Sequence, residues 1–302
     1  MLRFAKAVDK RWNMHYILIA CTAAVGVLAS LVYVSTFLPK ASTYEVNSLR
    51  IPPSFDGYCI VQISDLHNDL FGPHQSRLMR LLGAAHPDLI VVTGDLVNER
   101  RRGDEHSLDL IRQLTPLAPV YLATGNHEVY WDESGELQEL MERLENRGVQ
   151  VLRGRSVLLQ HGGEAIALAG IDDPDTFHGE SSQSDALARW ERALADVRTG
   201  IEPDTFAILL SHRPEHIRIY ANLGFDLVFT GHVHGGVVRL PFIGGLYAKN
   251  QGWLPQYTSG MYTLDDTSMI VSRGLGRGGV PFRFLNRPDI VVVRLRRGQR
   301  GE

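Results

Sequence analysis

Cysteine is nearly missing from this sequence: Cys21 and Cys59 are the only two in 302 residues. Cys21 lies in an apolar run and Cys59 in an expected buried strand, so no disulfide framework follows. That shortage suits either face of a membrane. Net charge is also scarce. The formal total of -3 argues against a chain that lives on nucleic acid, because gripping a phosphate backbone needs a concentrated basic surface. Internal repeats and low-complexity tracts are absent, so disorder is not the default reading. With 44% hydrophobic residues the chain can bury a full core, and its length suits one large α/β domain with an N-terminal appendage.

The most informative absence is in Tyr16–Leu38, 23 residues without Asp, Glu, Lys, Arg or His. A helix of that length spans about 34 Å, against a bilayer hydrocarbon core of about 30 Å. It is therefore predicted to cross a membrane; a buried core helix is usually shorter and amphipathic. A cleaved signal peptide shares the basic start, but its apolar region runs only about 7–15 residues. Residues 1–15 carry Arg3, Lys6, Lys10 and Arg11 against Asp9, a local +3 that leaves -6 for the remainder of the -3 total. Only Lys40 and Arg50 follow the span closely. The positive-inside rule thus predicts a single-pass cell-membrane protein with a cytoplasmic N-terminus and its main domain on the extracytoplasmic side.

The expected organisation is a basic N-terminus at 1–15, a transmembrane anchor at 16–38, a linker at 39–56 and a domain at 57–302. The linker reading rests on Pro39, Pro52 and Pro53 among polar residues. After Gly57, β-rich runs alternate with helical patterns, the signature of an α/β sheet covered by helices. Strands are predicted at Tyr58–Ser64, Leu89–Thr93, Val120–Ala123, Ala165–Ala169, Phe206–Leu210 and Asp226–Phe229. Helices are predicted around Pro73–Ala85, Glu105–Leu114 and Ser184–Val197. Further strands near Met261–Leu264, Met269–Ser272 and Ile290–Leu295 are expected to complete a second sheet.

Five of these strands end on residues that can bind metals: Asp65-Leu66-His67, Gly94-Asp95, Gly125-Asn126-His127-Glu128, Ser211-His212 and Gly231-His232-Val233-His234. Ligand sites in α/β folds form outside the carboxyl ends of strands. A lone Asp or His at a strand end is more often a cap or a surface residue; five blocks in this order are far more specific. Two divalent ions about 3.5–4 Å apart need a shared ligand, and a carboxylate supplies two oxygens and negative charge. Asp95 is the candidate bridge. Asp-X-His and His-X-His spacing lets residues i and i+2 point to one side of an extended strand end. The glycines at 94, 125 and 231 suit the tight backbone before such ligands. Imidazoles suit Zn or Fe, whereas the oxygen ligands keep Mn open.

In this order the blocks resemble the calcineurin-like metallophosphoesterases, over roughly residues 58–236. The resemblance implies a layered sandwich of two mixed β-sheets flanked by helices, here preceded by one transmembrane helix. It also implies that Asp65, His67 and His234 bind one ion, that Asn126, His212 and His232 bind the other, and that Asp95 bridges them. His127 would then protonate or stabilise the leaving oxygen. A water between two such cations should lose its proton near neutral pH and attack phosphorus in line. The implied enzyme is a membrane-anchored phosphodiesterase or pyrophosphatase whose partners are a phosphoester substrate, lipid-linked in the attractive case, and the bilayer. One branch of such proteins hydrolyses UDP-2,3-diacylglucosamine in lipid A biosynthesis, but that substrate sits on the cytoplasmic leaflet. A non-catalytic metal-binding scaffold is the alternative from another class. The chain departs from anchored relatives at Val237, where Gln is common, and at Asn98, where an acid is common.

Residues near the blocks have blander readings. Arg213 is expected as an exposed helix-start residue before a phosphate clamp, and Asp172, Asp173 and His178 as a solvated loop. His74, His86, His106, His161 and His216 are expected at the surface. The charged run Glu99–Arg102 is read as solvated. In Val237–Leu254, the residues Leu240, Phe242, Ile243, Leu246, Tyr247 and Trp253 either pack on the sheet or meet acyl chains or a membrane surface.

Overall fold

The computed structural model describes residues 2–100, 103–131, 135–177 and 182–298. Helix α1 (Leu2–Phe37) opens the chain. Its apolar part is Met14–Phe37, in which an 18-residue stretch has a mean hydropathy of 2.4 and is 0% buried against the rest of the protein, so the core-helix reading is excluded. The stretch expected to be a linker is instead part of the domain. Strand β1 (Lys40–Asn47) pairs in parallel with the C-terminal strand β16 (Asp289–Arg296), and Ile51 and Phe55 are buried. The prolines flank this strand rather than marking free chain, and its partner lies at the opposite end of the sequence.

The remaining elements follow in chain order: β2 (Cys59–Ile63), α2 (Ser76–Ala85), β3 (Leu89–Thr93), α3 (Glu105–Leu114), β4 (Val120–Ala123), α4 (Asn126–Trp131), α5 (Leu137–Glu145), β5 (Val149–Val151), β6 (Arg155–His161) and β7 (Glu164–Gly170). Then come α6 (Gln183–Thr199), β8 (Ala207–Leu210), α7 (Ile217–Asn222) and β9 (Leu227–Thr230). Two small ribbons, β10 (Arg239–Leu240) with β11 (Gly244–Gly245) and β12 (Tyr247–Ala248) with β13 (Gly252–Trp253), precede β14 (Gly260–Leu264) and β15 (Thr267–Val271).

One six-stranded sheet runs β1-β16-β2-β3-β4-β5 and the other β14-β15-β9-β8-β7-β6. Each has a parallel centre and one or more antiparallel pairs: β16 with β2, β14 with β15, β6 with β7. Of the three late strands expected to complete the second sheet, β16 belongs to the first. The central strands are apolar without alternation because both faces are covered. In β8, Ile208 and Leu210 face the core between the sheets, while Ala207 and Leu209 face a second core with Trp190 and Leu194 of α6. In β2, Ile60 joins the inter-sheet core, whereas Cys59, Val61 and Ile63 pack with Leu78 and Leu82 of α2. The result is a helix–sheet–sheet–helix stack, and the carboxyl ends of β2, β3, β4, β8 and β9 meet at one rim.

Candidate metal centre

The ligand-type side chains reach the rim from loops just beyond the strands, and the backbone there is unusual. Asp65, His67, Asp95, His232 and His234 have φ of 54°, 51°, 55°, 69° and 46°. Left-handed backbone at non-glycine residues is strained and concentrates at functional sites. The Asp-X-His and His-X-His pairs therefore converge through left-handed turns, and not through the pleat of an extended strand end as their spacing suggested. Packing fixes the turns. A Cβ at Gly94 (φ +85°) would strike the backbone of Gly125, and one at Gly231 would strike the Ser64 hydroxyl and the Asp65 carboxylate.

Asp65, His67, Asp95, Asn126, His212 and His232 are buried, and His234 is nearly so. Ligand atoms of Asp65, His67 and His234 lie within 4.8 Å of one another, as do those of Asp95, His212 and His232, and those of His67, Asp95 and His127. His67 Nε2 is 2.9 Å from His234 Nε2, which stands 3.5 Å from Asp65 Oδ1. One oxygen, Asp95 Oδ2, lies 3.7 Å from His67 Nε2 on one side and 3.2 Å from His212 Nε2 on the other.

Several features fit cations at these two groups. The Asn126 side chain is buried with neither amide atom partnered, and His212 Nε2 has no hydrogen-bond partner; such orphaned groups are costly unless something coordinates them. His212 Nδ1 lies 2.7 Å from the Thr93 carbonyl and His67 Nδ1 3.3 Å from that of Val97. Donation to those carbonyls turns each Nε2 toward the centre, the usual support for a ligating imidazole. His234 differs, because its Nδ1 faces the Arg283 Nη2 donor at 3.0 Å and not a carbonyl.

Electrostatics follow the same division. Burial lowers His67 to about 3, despite the opposing Asp95 charge. Burial also holds His232 and His234 well below the usual imidazole value, aided by Arg213 and His67 respectively. Burial raises Asp65 to about 6 against the pull of His212. Asp95 resists its burial because His212, His127 and His67 surround it, and its carboxyl sits well below the ordinary range. His212 likewise overcomes burial through Asp95 and is raised to about 10. The centre therefore offers two carboxylates and mostly neutral imidazoles, with His212 the one imidazole whose charged form Asp95 favours.

Supporting contacts were not legible beforehand. His127 Nδ1 is hydrogen-bonded to Glu99, the residue after Asn98, so the charged run is not wholly solvated; Arg101 and Arg102 lie outside the described residues. Glu128 accepts from the backbone N–H groups of Asp95 (2.7 Å), Leu96 (2.7 Å) and Gly125 (2.8 Å), tying the Asp95 turn to the Asn126 turn. Arg213 is neither exposed nor free to clamp phosphate. It is 2% exposed and forks onto Asp173 at 2.6 and 2.7 Å, with Asp175 at 2.8 Å. Asp172 takes Thr124 and Arg153, so these acids brace the second strand group; His178 lies outside the described residues. His74, His86 and His161 are exposed, and His106 and His216 half-buried.

The centre opens into a cleft of about 300 Å³ lined by Asp95, Asn126, His127, His232, His234 and, from the ribbons and the loop after β15, Tyr247, Lys249 and Val280. Lys249 stands 5.5 Å from the Tyr130 ring centroid and is the lining cation. Sequence reading placed the ribbon region beside the centre without singling out this lysine.

Comparison with known proteins gives a consistent result. The profile of the family described as Calcineurin-like phosphoesterase matches residues 59–236. The chain is 31% identical over 269 residues to the uncharacterized metallophosphoesterase YkuE of Bacillus subtilis (strain 168), covering 87% of this chain and 88% of that one. It is 28% identical over 274 residues to an uncharacterized metallophosphoesterase of Aquifex aeolicus (strain VF5), covering 87% and 94%. A Bos taurus protein named as a transmembrane protein with metallophosphoesterase domain is 29% identical over 271 residues, covering 84% of this chain and 56% of that one.

Proposed function

This chain belongs to the calcineurin-like phosphoesterase family and is a metal-dependent hydrolase of phosphoesters, and on that premise we propose a dinuclear-metal phosphodiesterase or pyrophosphatase anchored in a membrane by α1. The observation that carries the dinuclear reading is Asp95 Oδ2, within 3.7 Å of His67 and 3.2 Å of His212, a single carboxylate oxygen between two ligand groups. Asp65, His67 and His234 would hold one ion and Asn126, His212 and His232 the other. Mn, Zn and Fe all suit this donor set. Two divalent ions would supply an acidified water and offset the charge on phosphate oxygens.

The chain's own residues do the rest. The His127 ring is fixed at Nδ1 by Glu99, which leaves Nε2, 3.8 Å from Asp95 Oδ2, at the cleft, where the doubly protonated ring would deliver its Nε2 proton to the leaving oxygen and remain neutral with Nδ1–H on Glu99. Glu128 holds the Asp95 and Gly125 backbones together, so the bridge and Asn126 keep their spacing. Lys249 receives a negative group of the substrate beyond the reacting phosphorus. The anchor reading rests on a helix that is long and apolar, with an 18-residue stretch 0% buried, and a lipid-linked phosphoester is the substrate class such an address favours.

The test is metal removal. Protein stripped by a chelator should lose hydrolysis of bis(p-nitrophenyl) phosphate and regain it with Mn or Zn, saturating at two equivalents per chain. Saturation at one equivalent would remove the dinuclear reading, and no turnover with any divalent metal would leave a scaffold.

A further inference from the structure

Among the described residues of the domain, the three most exposed large apolar side chains stand on neighbouring segments. Phe242 at the β10–β11 turn is 109% exposed, Trp253 in β13 is 77% and Leu254 is 67%; Ile243, Phe282 and Leu285 are also exposed. Monomeric proteins rarely leave so many large apolar groups together in water. The segments bearing them are joined by backbone. Arg239 N–H donates to the Phe284 carbonyl (3.0 Å), Leu246 to Val238 (2.9 Å) and Leu254 to Leu246 (2.9 Å).

The same patch is continuous with the end of α1. Thr36 Oγ1 accepts from the Arg283 N–H at 3.0 Å, and Thr36 is buried there. Arginines surround the point where the helix ends: Arg77 donates to the Phe37 carbonyl and Arg287 to those of Leu38 and Pro39, each at 2.9 Å. Arg277 lies 5.6 Å from the Phe37 ring centroid. An apolar tip beside an apolar helix, bordered by cations, matches the layering of a bilayer surface, where aromatic side chains enter the acyl boundary and Arg meets anionic headgroups.

We propose that the turn at Phe242–Ile243, the β12–β13 ribbon through Leu254 and the loop at Phe282–Leu285 sit in the headgroup–acyl boundary of the membrane that α1 crosses. The cleft is lined by the same ribbon and loop, through Tyr247, Lys249 and Val280, so its mouth opens at the lipid surface. Its substrate class is then a phosphoester carried on a membrane lipid, drawn sideways from the leaflet. This rests on the anchored reading of α1.

The test uses the full chain with Cys21→Ser, which leaves the buried Cys59, reconstituted in phosphatidylcholine–phosphatidylglycerol vesicles. An environment-sensitive fluorophore is attached at Phe242→Cys, Trp253→Cys or Phe282→Cys. The control is Leu49→Cys, 64% exposed and beyond the far end of β1, about 23 Å of strand from the helix exit. Expected is a blue-shifted emission at the three patch positions with several-fold stronger quenching by nitroxide-bearing lipid than at position 49. Water-like emission at the patch in protein that floats with the vesicles overturns the seating and leaves the anchor intact. A blue shift without lipid quenching means that protein covers the patch, and also overturns it. Failure to float overturns the anchor and the seating together.

Discussion

His127 Nε2 and Asp95 Oδ2 are 3.8 Å apart, yet the two residues should fail in different ways. Asp95 would touch both ions, so Asp95→Ala should lose metal, read by elemental analysis of the dialysed protein. His127 is held by Glu99 and by its N–H on Asp95 Oδ1 at 2.9 Å, so His127→Ala should keep two ions while kcat falls by roughly 10²–10⁴, the usual worth of a positioned proton donor. Equal metal loss in both variants would undo the division of roles. Lys249 makes a third kind of contact. A charge that binds a remote anionic group does so equally in ground and transition states, which changes KM and spares kcat. Lys249→Ala should raise KM for an anionic substrate about tenfold to a hundredfold, as expected of a charge-assisted bond of about 1.5–3 kcal/mol, with kcat nearly unchanged. A drop confined to kcat would instead place Lys249 at the reacting phosphorus.

At the scale of elements, the turns after the strands carry the strain of the centre, and the strands themselves carry none. Gly94→Ala meets a φ of +85° and the Gly125 backbone together, so it should cost about 3 kcal/mol, read as a lowered denaturation midpoint of the detergent-solubilised protein. A normal midpoint would mean that the two turns separate easily. At the head of β16, Asp289 accepts from the Ser42 hydroxyl (2.8 Å) and the Arg273 N–H (3.1 Å). Burial raises its carboxyl above the ordinary 3.8, so the fold favours the protonated form. The stability it contributes is complete below the unfolded value and is lost as pH rises through the higher folded value. Asp289→Asn keeps an acceptor and loses the titration. The wild type should therefore lose stability relative to the variant as pH rises above the ordinary carboxyl range, and parallel profiles would assign the shift elsewhere. The apolar strands β3 and β4 and helix α3 were legible to the residue, because local periodicity and composition decide them. Strand β1 was not, since it pairs with β16, nearly the whole chain away. The ligand blocks could be read as motifs, but the left-handed turns that bring them together could not, nor could Glu99, Glu128 and Arg283. Those depend on which loops meet in space.

For the whole molecule, the decisive quantity is the side of the membrane on which the cleft opens. Four basic residues precede the apolar span and only Lys40 and Arg50 follow it closely in sequence. The arginines gathered at the helix exit, Arg77, Arg277 and Arg287, arrive there by folding, from positions well beyond the 15–20 residues over which the positive-inside rule is counted. The charge asymmetry that acts during insertion is therefore the N-terminal one. A reporter fused after residue 302 should read extracytoplasmic, with alkaline phosphatase active and a cytoplasm-restricted fluorophore dark. With the seating of Phe242 and Trp253 in the same leaflet, that outcome directs the cleft at phosphoesters exposed on the outer face of the membrane. A cytoplasmic readout would reverse the insertion argument, put the arginines of the exit on the positive side that the rule favours, and make a cytoplasmic-leaflet substrate such as UDP-2,3-diacylglucosamine the one to assay first.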